Sequence, residues 1–91
     1  MKVEVYGIPS TVHNCVACKK AVELLEENNI EYEFYPVLNT ADNDLGFDYN
    51  RGRIEELAKR LNTRGLAFSY PKIFVDGNYI GGYANLEKLF D

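Results

Sequence analysis

Two cysteines separated by two residues, Cys15 and Cys18, are the side chains whose spacing most directly indicates chemistry. A disulfide between them would close a loop too short to restrain much of the unfolded chain, so it would contribute little stability. Two thiols at this spacing can instead interconvert with a disulfide by thiol–disulfide exchange. The pair therefore predicts a redox centre, and a static disulfide or an incidental pair of core thiols is the alternative.

A metal site is a second alternative for the same residues. His13, Cys15 and Cys18 supply three soft ligands at most, whereas a closed zinc site uses four. The sequence contains no other cysteine or histidine. One chain therefore cannot complete a structural zinc site, and a metal cluster shared between two chains is the form of this alternative that stays open.

The position of the pair at the start of a predicted helix gives the two sulfurs different roles. Apolar residues recur at helical spacing from Val16 to about Asn28, which predicts a helix that begins near Cys15. A thiol at a helix N-terminus lies at the positive end of the helix dipole, where its pKa falls from ~8.5 to between ~3.5 and ~7.5. Cys15 is therefore the predicted nucleophile, and Cys18, almost one turn further along, is the predicted resolving thiol. Three nearby side chains can add positive charge: His13, Lys19 and Lys20.

Periodicity and turn residues predict the elements around the pair. Residues 2–6 alternate polar and apolar, and residues 31–37 are aromatic and β-prone; with the helix between them they form a β-α-β unit, which favours parallel pairing. Residues 39–50 are rich in Asp and Asn without sustained periodicity, which predicts a long loop. A second helix to about Asn62 places apolar residues on one side and charged residues on the solvent side, the latter being Arg53, Glu55, Glu56, Lys59 and Arg60.

The last third of the chain predicts a hairpin and a short helix. Asp76-Gly77 joins residues 71–75 to residues 78–80, and this dipeptide favours a two-residue turn between antiparallel strands. Gly81-Gly82 ends the second strand, and a closing helix follows with Asn85 as its cap. The order β-α-β-α-β-β-α is that of an α/β domain with a thioredoxin-like fold. We expect a four-stranded mixed sheet flanked by about three helices.

Size and composition exclude several classes of function. The chain has 91 residues, the length of a single domain, which we expect to span residues 1–91. Its net charge of -4 is the wrong sign for binding a phosphate backbone, so we expect no nucleic-acid partner. No segment approaches the ~20 apolar residues that cross a bilayer, and the N-terminus lacks the apolar core of a signal peptide. We therefore expect a cytoplasmic protein without membrane association, and a monomer.

Three motifs in the right order resemble the glutaredoxin family over nearly the whole chain. They are Cys15-Val16-Ala17-Cys18 after the first strand, Ser69-Tyr70-Pro71 before the third, and Gly81-Gly82-Tyr83-Ala84-Asn85-Leu86 after the fourth. The His-x-Cys-Val-x-Cys pattern of residues 13–18, with the acidic middle segment, is similar to the glutaredoxins of T-even bacteriophages. A phage-encoded protein would work in the host cytoplasm.

The resemblance implies a glutathione site beside the cysteines. In it Pro71 is a cis-proline facing the active site, and the backbone of Tyr70 pairs with the cysteinyl part of glutathione. The two glycines allow close approach of the ligand, and N–H groups at the start of the last helix receive its γ-glutamyl carboxylate. The implied glutathione-binding residues are His13, Tyr70, Pro71, Gly81, Gly82, Ala84 and Asn85. Asn85 stands where many relatives have Asp, and Val16 and Ala17 where many have Pro and Tyr.

The resemblance also implies an activity and partners. A dithiol glutaredoxin takes electrons from glutathione, without a bound cofactor or metal, and reduces protein disulfides and glutathione mixed disulfides. Ribonucleotide reductase is the implied main client, and thioredoxin reductase can be a second source of electrons. The alternative from a different class is a non-enzymatic module that binds a metal cluster through Cys15 and Cys18 or serves as a protein-interaction subunit.

Overall fold

Nine helices and strands make up the fold. The computed structural model describes residues 1–91, and the elements in chain order are β1 (Val3–Gly7), α1 (Val16–Glu27), β2 (Tyr32–Pro36), β3 (Leu38–Thr40), β4 (Phe47–Tyr49), α2 (Arg51–Arg60), β5 (Lys72–Val75), β6 (Asn78–Gly81) and α3 (Tyr83–Lys88). None of the three helices has the length and apolar character needed to span a membrane.

The main sheet has four strands in the order β2-β1-β5-β6. Strand β1 pairs in parallel with β2, whereas the β1–β5 and β5–β6 pairs are antiparallel. Asp76 and Gly77 take positive φ angles of 51° and 83° in the predicted turn between β5 and β6. The predicted four-stranded mixed sheet with three helices is therefore confirmed.

Helices cover both faces of this sheet, each over its own apolar cluster. One cluster joins β1 and β5 to α1 and α3 through Val3, Val5, Ala21, Leu25, Ile73 and Leu86. The other joins the opposite face to α2 through Tyr6, Val37, Leu38, Ile54, Leu57 and Phe74. Burial of each such aliphatic side chain stabilises the fold by about 1.5–3 kcal/mol. The first cluster thereby fixes α1, which carries the cysteines, on the sheet.

The predicted long loop at residues 39–50 is wrong, because this segment forms a second, two-stranded sheet. Strands β3 and β4 pair antiparallel, with Leu38 opposite Tyr49. The Asn43 side-chain oxygen accepts hydrogen bonds from the N–H groups of Leu45 and Gly46, at 3.1 and 2.8 Å, and closes the turn between them. Phe47 anchors the hairpin by packing against the second apolar cluster. Three-residue strands are too short to give a periodic signal.

A charged cluster, which we call the Glu4 cluster, is buried between β1 and α2. Glu4 is only 7% exposed, and Arg60 donates two hydrogen bonds to its carboxylate at 2.9 and 3.0 Å. The Arg60 guanidinium also donates to the Tyr6 hydroxyl at 3.1 Å and lies 3.8 Å from the centre of the Phe74 ring. The prediction that Arg60 faces solvent is therefore wrong.

Hydrogen bonding and burial shift the pKa values of Glu4 and Tyr6 in this cluster. The Arg60 hydrogen bond outweighs burial and holds the pKa of Glu4 below its ordinary value of 4.5. Burial, followed by the hydrogen bond to Glu56, raises the pKa of Tyr6 to about 12. At neutral pH the cluster therefore contains a charged Glu4 and a protonated Tyr6.

We predict that Arg60→Met destabilises the fold by about 3 kcal/mol at pH 7, because it leaves the Glu4 carboxylate buried without its cation. A carboxyl with a lowered folded pKa stabilises the native state at neutral pH and loses this effect as the pH falls below the unfolded pKa. The penalty in Arg60→Met should therefore shrink below about pH 4.5, where Glu4 can protonate. Urea unfolding followed by circular dichroism at several pH values measures both effects.

The control is Arg51→Met, because Arg51 pairs with Glu55 on the exposed side of the same helix. Exposed ion pairs of this kind contribute less than about 0.5 kcal/mol. Equal destabilisation by the two variants, or an Arg60→Met penalty that does not change with pH, would contradict the role given to the Glu4 cluster.

Candidate active site

The two cysteines lie where the loop after β1 meets α1. Helix α1 begins at Val16, and Cys15 is its N-cap residue, in agreement with the predicted helix start. A disulfide joins Cys15 to Cys18, with a Cα–Cα distance of 5.3 Å. Cys15 is half-buried, whereas Cys18 is 2% exposed. An external thiol or disulfide can therefore reach the sulfur of Cys15 more easily than that of Cys18.

The start of α1 offers a favourable environment for a thiolate at Cys15. The N–H of Cys18 donates to Cys15 Sγ at 3.3 Å, so the sulfur occupies the place of an N-cap oxygen. The first turn of the helix contains no acidic residue. When the disulfide is reduced, the helix dipole and this N–H favour the negative form of the Cys15 sulfur.

Gly7 and Ile8 form the wall behind Cys18, a role that the sequence interpretation missed. The Ile8 N–H points at Cys18 Sγ over 3.5 Å. A Cβ at Gly7 would lie 3.0 Å from the Phe34 ring and 3.4 Å from Cys18 Sγ, so a side chain here would crowd the resolving sulfur. The sequence signal for this role is a glycine at the end of the strand that leads into the cysteine motif.

The loop before β5 reaches the other side of the disulfide. The Tyr70–Pro71 peptide bond is cis, as the resemblance implies, and Pro71 is buried. The carbonyl oxygen of Tyr70 lies 3.9 Å from Cys15 Sγ. Burial, with a smaller contribution from Tyr49, raises the pKa of the Tyr70 hydroxyl. Phe47 of the β3–β4 hairpin and Tyr70 pack against the same apolar cluster.

The glycine pair after β6 lies against the same loop. A Cβ at Gly82 would be 3.4 Å from the carbonyl oxygen of Pro71. Gly82 is the N-cap of α3, so the predicted cap at Asn85 is wrong. The Asn85 side-chain amide does not cap α3, because it donates a hydrogen bond to the carbonyl oxygen of Ile80 at 2.7 Å. Close contacts thus link Cys15 to Tyr70 and Pro71 to Gly82, and Ala84 and Asn85 are exposed in the first turn of α3.

His13 lies outside this set of contacts. It is exposed in the turn after Pro9, whose carbonyl accepts the His13 N–H at 3.2 Å, and its ring forms no hydrogen bond or ion pair. Nowhere do three His, Cys, Asp or Glu side chains converge as metal ligands would.

A groove opens on the side of the disulfide away from Tyr70. It has a volume of about 410 Å³ and lies between the β1–α1 loop, helix α1 and strand β2, with both cysteines in its wall. We call it the α1 groove. No sequence pattern predicts this groove, because its lining comes from segments that only the fold brings together.

Comparisons with known proteins agree with this geometry. Residues 3–80 match the family model described as Glutaredoxin, so the chain belongs to the glutaredoxin family. It is 33% identical over 89 residues to the glutaredoxin of Enterobacteria phage T4, covering 96% of this chain and 97% of that protein. It is also 41% identical over 75 residues to an uncharacterized 11.8 kDa protein of the same phage, covering 82% of this chain and 71% of that protein. The predicted resemblance to phage glutaredoxins is confirmed.

Solved structures identify the same fold. Glutaredoxin 1 of Francisella tularensis superposes with a TM-score of 0.64 at 24% identity, covering 99% of this chain and 92% of that one. A buckwheat glutaredoxin in complex with glutathione gives a TM-score of 0.62 at 16% identity, with coverages of 97% and 66%. The predicted thioredoxin-like α/β fold is confirmed. Family membership together with the Cys15–Cys18 pair makes this protein a thiol–disulfide oxidoreductase.

We predict that Gly81→Ala destabilises the protein by about 1–3 kcal/mol, because an L side chain is strained at positive φ. Gly81 has a φ angle of 112°, and a Cβ there would collide with the Asn85 amide, which holds the start of α3. Gly82→Ala is the matched control, since the φ angle of Gly82 is -102°. Thermal unfolding of the two variants makes the comparison. Equal stability would show that the conformation of Gly81 is not required.

Proposed function

We propose that this protein is a dithiol glutaredoxin that takes electrons from glutathione and reduces protein disulfides and glutathione mixed disulfides. One observation carries the proposal: the half-buried Cys15 sulfur lies at the N-terminus of α1 and 3.9 Å from the Tyr70 carbonyl. This arrangement supports Cys15 as the nucleophile, beside a backbone group that an extended thiol peptide can pair with.

The reduction of a disulfide proceeds in two exchanges. The Cys15 thiolate attacks one sulfur of the substrate disulfide, forms a mixed disulfide and releases the other sulfur as a thiolate, which takes a proton. Cys18 then loses its proton and attacks Cys15 Sγ, which releases the second substrate thiol. The substrate gains two electrons and two protons, and the Cys15–Cys18 disulfide remains.

Glutathione restores the dithiol by the same chemistry. A first glutathione thiolate attacks Cys15 Sγ and expels Cys18, which takes a proton. A second glutathione thiolate attacks the glutathione sulfur of this mixed disulfide, so that Cys15 leaves as a thiolate and glutathione disulfide departs. Cys15 is the more accessible of the two sulfurs, which supports this order of events.

The proposed glutathione site extends from Cys15 to the start of α3. We assign the cysteinyl backbone of glutathione to Tyr70 and Pro71, and its γ-glutamyl carboxylate to N–H groups near Ala84 and Asn85. The first N–H groups of a helix have no partner within the helix, which supports that position. Gly81 and Gly82 belong to the proposed site because neither carries a side chain; the Asn85 amide occupies the space beside Gly81, so the partly exposed Gly82 is the glycine that the ligand backbone can approach. His13, two residues before Cys15, is the remaining residue of the proposed glutathione site.

The proposed partners follow from the family. The resemblance to phage glutaredoxins implies ribonucleotide reductase as the client and thioredoxin reductase as a second source of electrons. The similarity to the phage T4 glutaredoxin supports the host cytoplasm as the location. The experiment that tests the function itself is a coupled assay with glutathione, glutathione reductase and NADPH on a small disulfide. Absence of glutathione-dependent turnover would overturn the proposal, and the ultraviolet-visible spectrum of the purified protein would reveal a bound metal cluster.

We predict that serine variants separate the two sulfurs. Cys15→Ser removes the accessible nucleophile and should reduce every exchange activity at least a hundredfold. Cys18→Ser should retain deglutathionylation at a substantial rate, because a second glutathione can release the glutathionyl group from Cys15. The same variant should accumulate a mixed disulfide with a protein client. Coupled assays and mass spectrometry measure these outcomes, and equal loss of both activities in both variants would contradict the assigned roles.

We also predict where glutathione binds. In Cys18→Ser loaded with one glutathione on Cys15, backbone amide resonances should shift at Tyr70, Gly82 and Asn85 as well as near Cys15. The reference is the same variant reduced, and Asn78, at the far end of β6, serves as an internal control that should not shift. Shifts confined to residues 13–18 would mean that no shaped glutathione site exists.

A further inference from the structure

The α1 groove has the features of a site for a peptide rather than for glutathione. Its apolar lining consists of five residues that are each only partly buried, Ile8, Pro9, Val22, Tyr32 and Phe34. Its volume of about 410 Å³ lies within the range of sites that hold ligands. Because both cysteines form part of its wall, a chain lying in this groove can present a disulfide to Cys15.

The charges at the groove favour a basic partner. Lys19, Glu23 and Glu26 line it from one face of α1, and all three side chains are exposed. Neither carboxylate forms an ion pair within the protein. Two carboxylates without an ion-pair partner disfavour glutathione, which is a net anion, and attract a partner with a net positive charge.

We propose that the α1 groove binds the disulfide-bearing segment of a client protein, with an apolar side chain beside the reacting cysteine and a Lys or Arg facing Glu23 and Glu26. The inference rests on the proposed function and names the substrate class of the same redox centre. Glutathione and the client would then approach Cys15 from opposite sides, glutathione over Tyr70 and Gly82 and the client along α1.

The helix sets the spacing of the client's basic residue. Glu23 and Glu26 lie eight and eleven residues beyond Cys15, the cysteine that attacks the client, which places them about 12 and 16 Å along the helix axis. An extended peptide covers these distances in about four to five residues. The preferred client therefore has Lys or Arg about four to five residues from its cysteine.

The test uses two synthetic peptides that each contain an internal disulfide and a leucine next to the second cysteine. One peptide has lysines at the positions that the spacing indicates, and the other has glutamates there. Protein that has been reduced and desalted is mixed with each peptide, and single-turnover reduction is followed without glutathione. The two electrons come from Cys15 and Cys18, which end as the intramolecular disulfide.

We expect the wild-type protein to reduce the lysine peptide about threefold to tenfold faster than the glutamate peptide, as two exposed charge pairs allow. Glu23→Gln with Glu26→Gln should bring the two rates within about twofold of each other, and E23K with E26K should invert the preference. The matched control, Glu27→Gln with Glu31→Gln, makes the same change in net charge at the end of α1 and before β2 and should keep the preference.

Three results would overturn the proposal. They are equal rates on the two peptides in the wild type, a preference for the lysine peptide that survives in the Glu23 and Glu26 variants, and an equal loss of this preference in the Glu27 and Glu31 control. The glutathione-coupled assay on all variants keeps the two proposals apart, because turnover with glutathione should persist in every variant, whichever peptide that variant prefers. Failure of that assay with the peptide preference intact would reject glutathione as reductant and leave the groove assignment standing.

Discussion

The contact on which the active site depends is that between the Cys15 sulfur and the first turn of α1. The sulfur takes the place of the N-cap oxygen and accepts the Cys18 N–H at 3.3 Å, so the same turn that favours the thiolate also brings the resolving cysteine within bonding distance. This contact requires α1 to lie in one position on the sheet. Ala21 and Leu25, both completely buried against β1, hold it there.

The two faces of the main sheet hold different parts of the structure. The face covered by α1 and α3 carries the cysteines and the Gly81-Gly82 turn, and its core is apolar. The opposite face holds α2 through the Glu4 cluster, where a buried ion pair and a ring contact fix one orientation of Arg60. Tyr6 belongs to this cluster and directly precedes Gly7, which lies against Cys18. The Glu4 cluster is therefore one residue away from the wall of the active site.

Local signals allowed most of the fold and part of the site to be predicted. The cysteine motif at a helix start, the Asp76-Gly77 turn and the order of strands and helices depend on neighbours in sequence, and all three appear in the structure. What could not be predicted depends on distant pairings. Helical spacing alone places Arg60 on the solvent side, because its partner Glu4 is 56 residues away in the sequence. The α1 groove forms where segments on either side of the cysteine motif meet.

The disulfide lies at a boundary between two surfaces of different charge and shape. On one side the Tyr70–Pro71 loop and the glycines at 81 and 82 present backbone groups to a short ligand. On the other side the α1 groove presents apolar side chains and the carboxylates of Glu23 and Glu26. In the proposed cycle, a small anionic reductant and a large client react in turn at the same sulfur. Separate approaches would let each partner be selected by its own surface, so that a change in client preference need not disturb the supply of electrons.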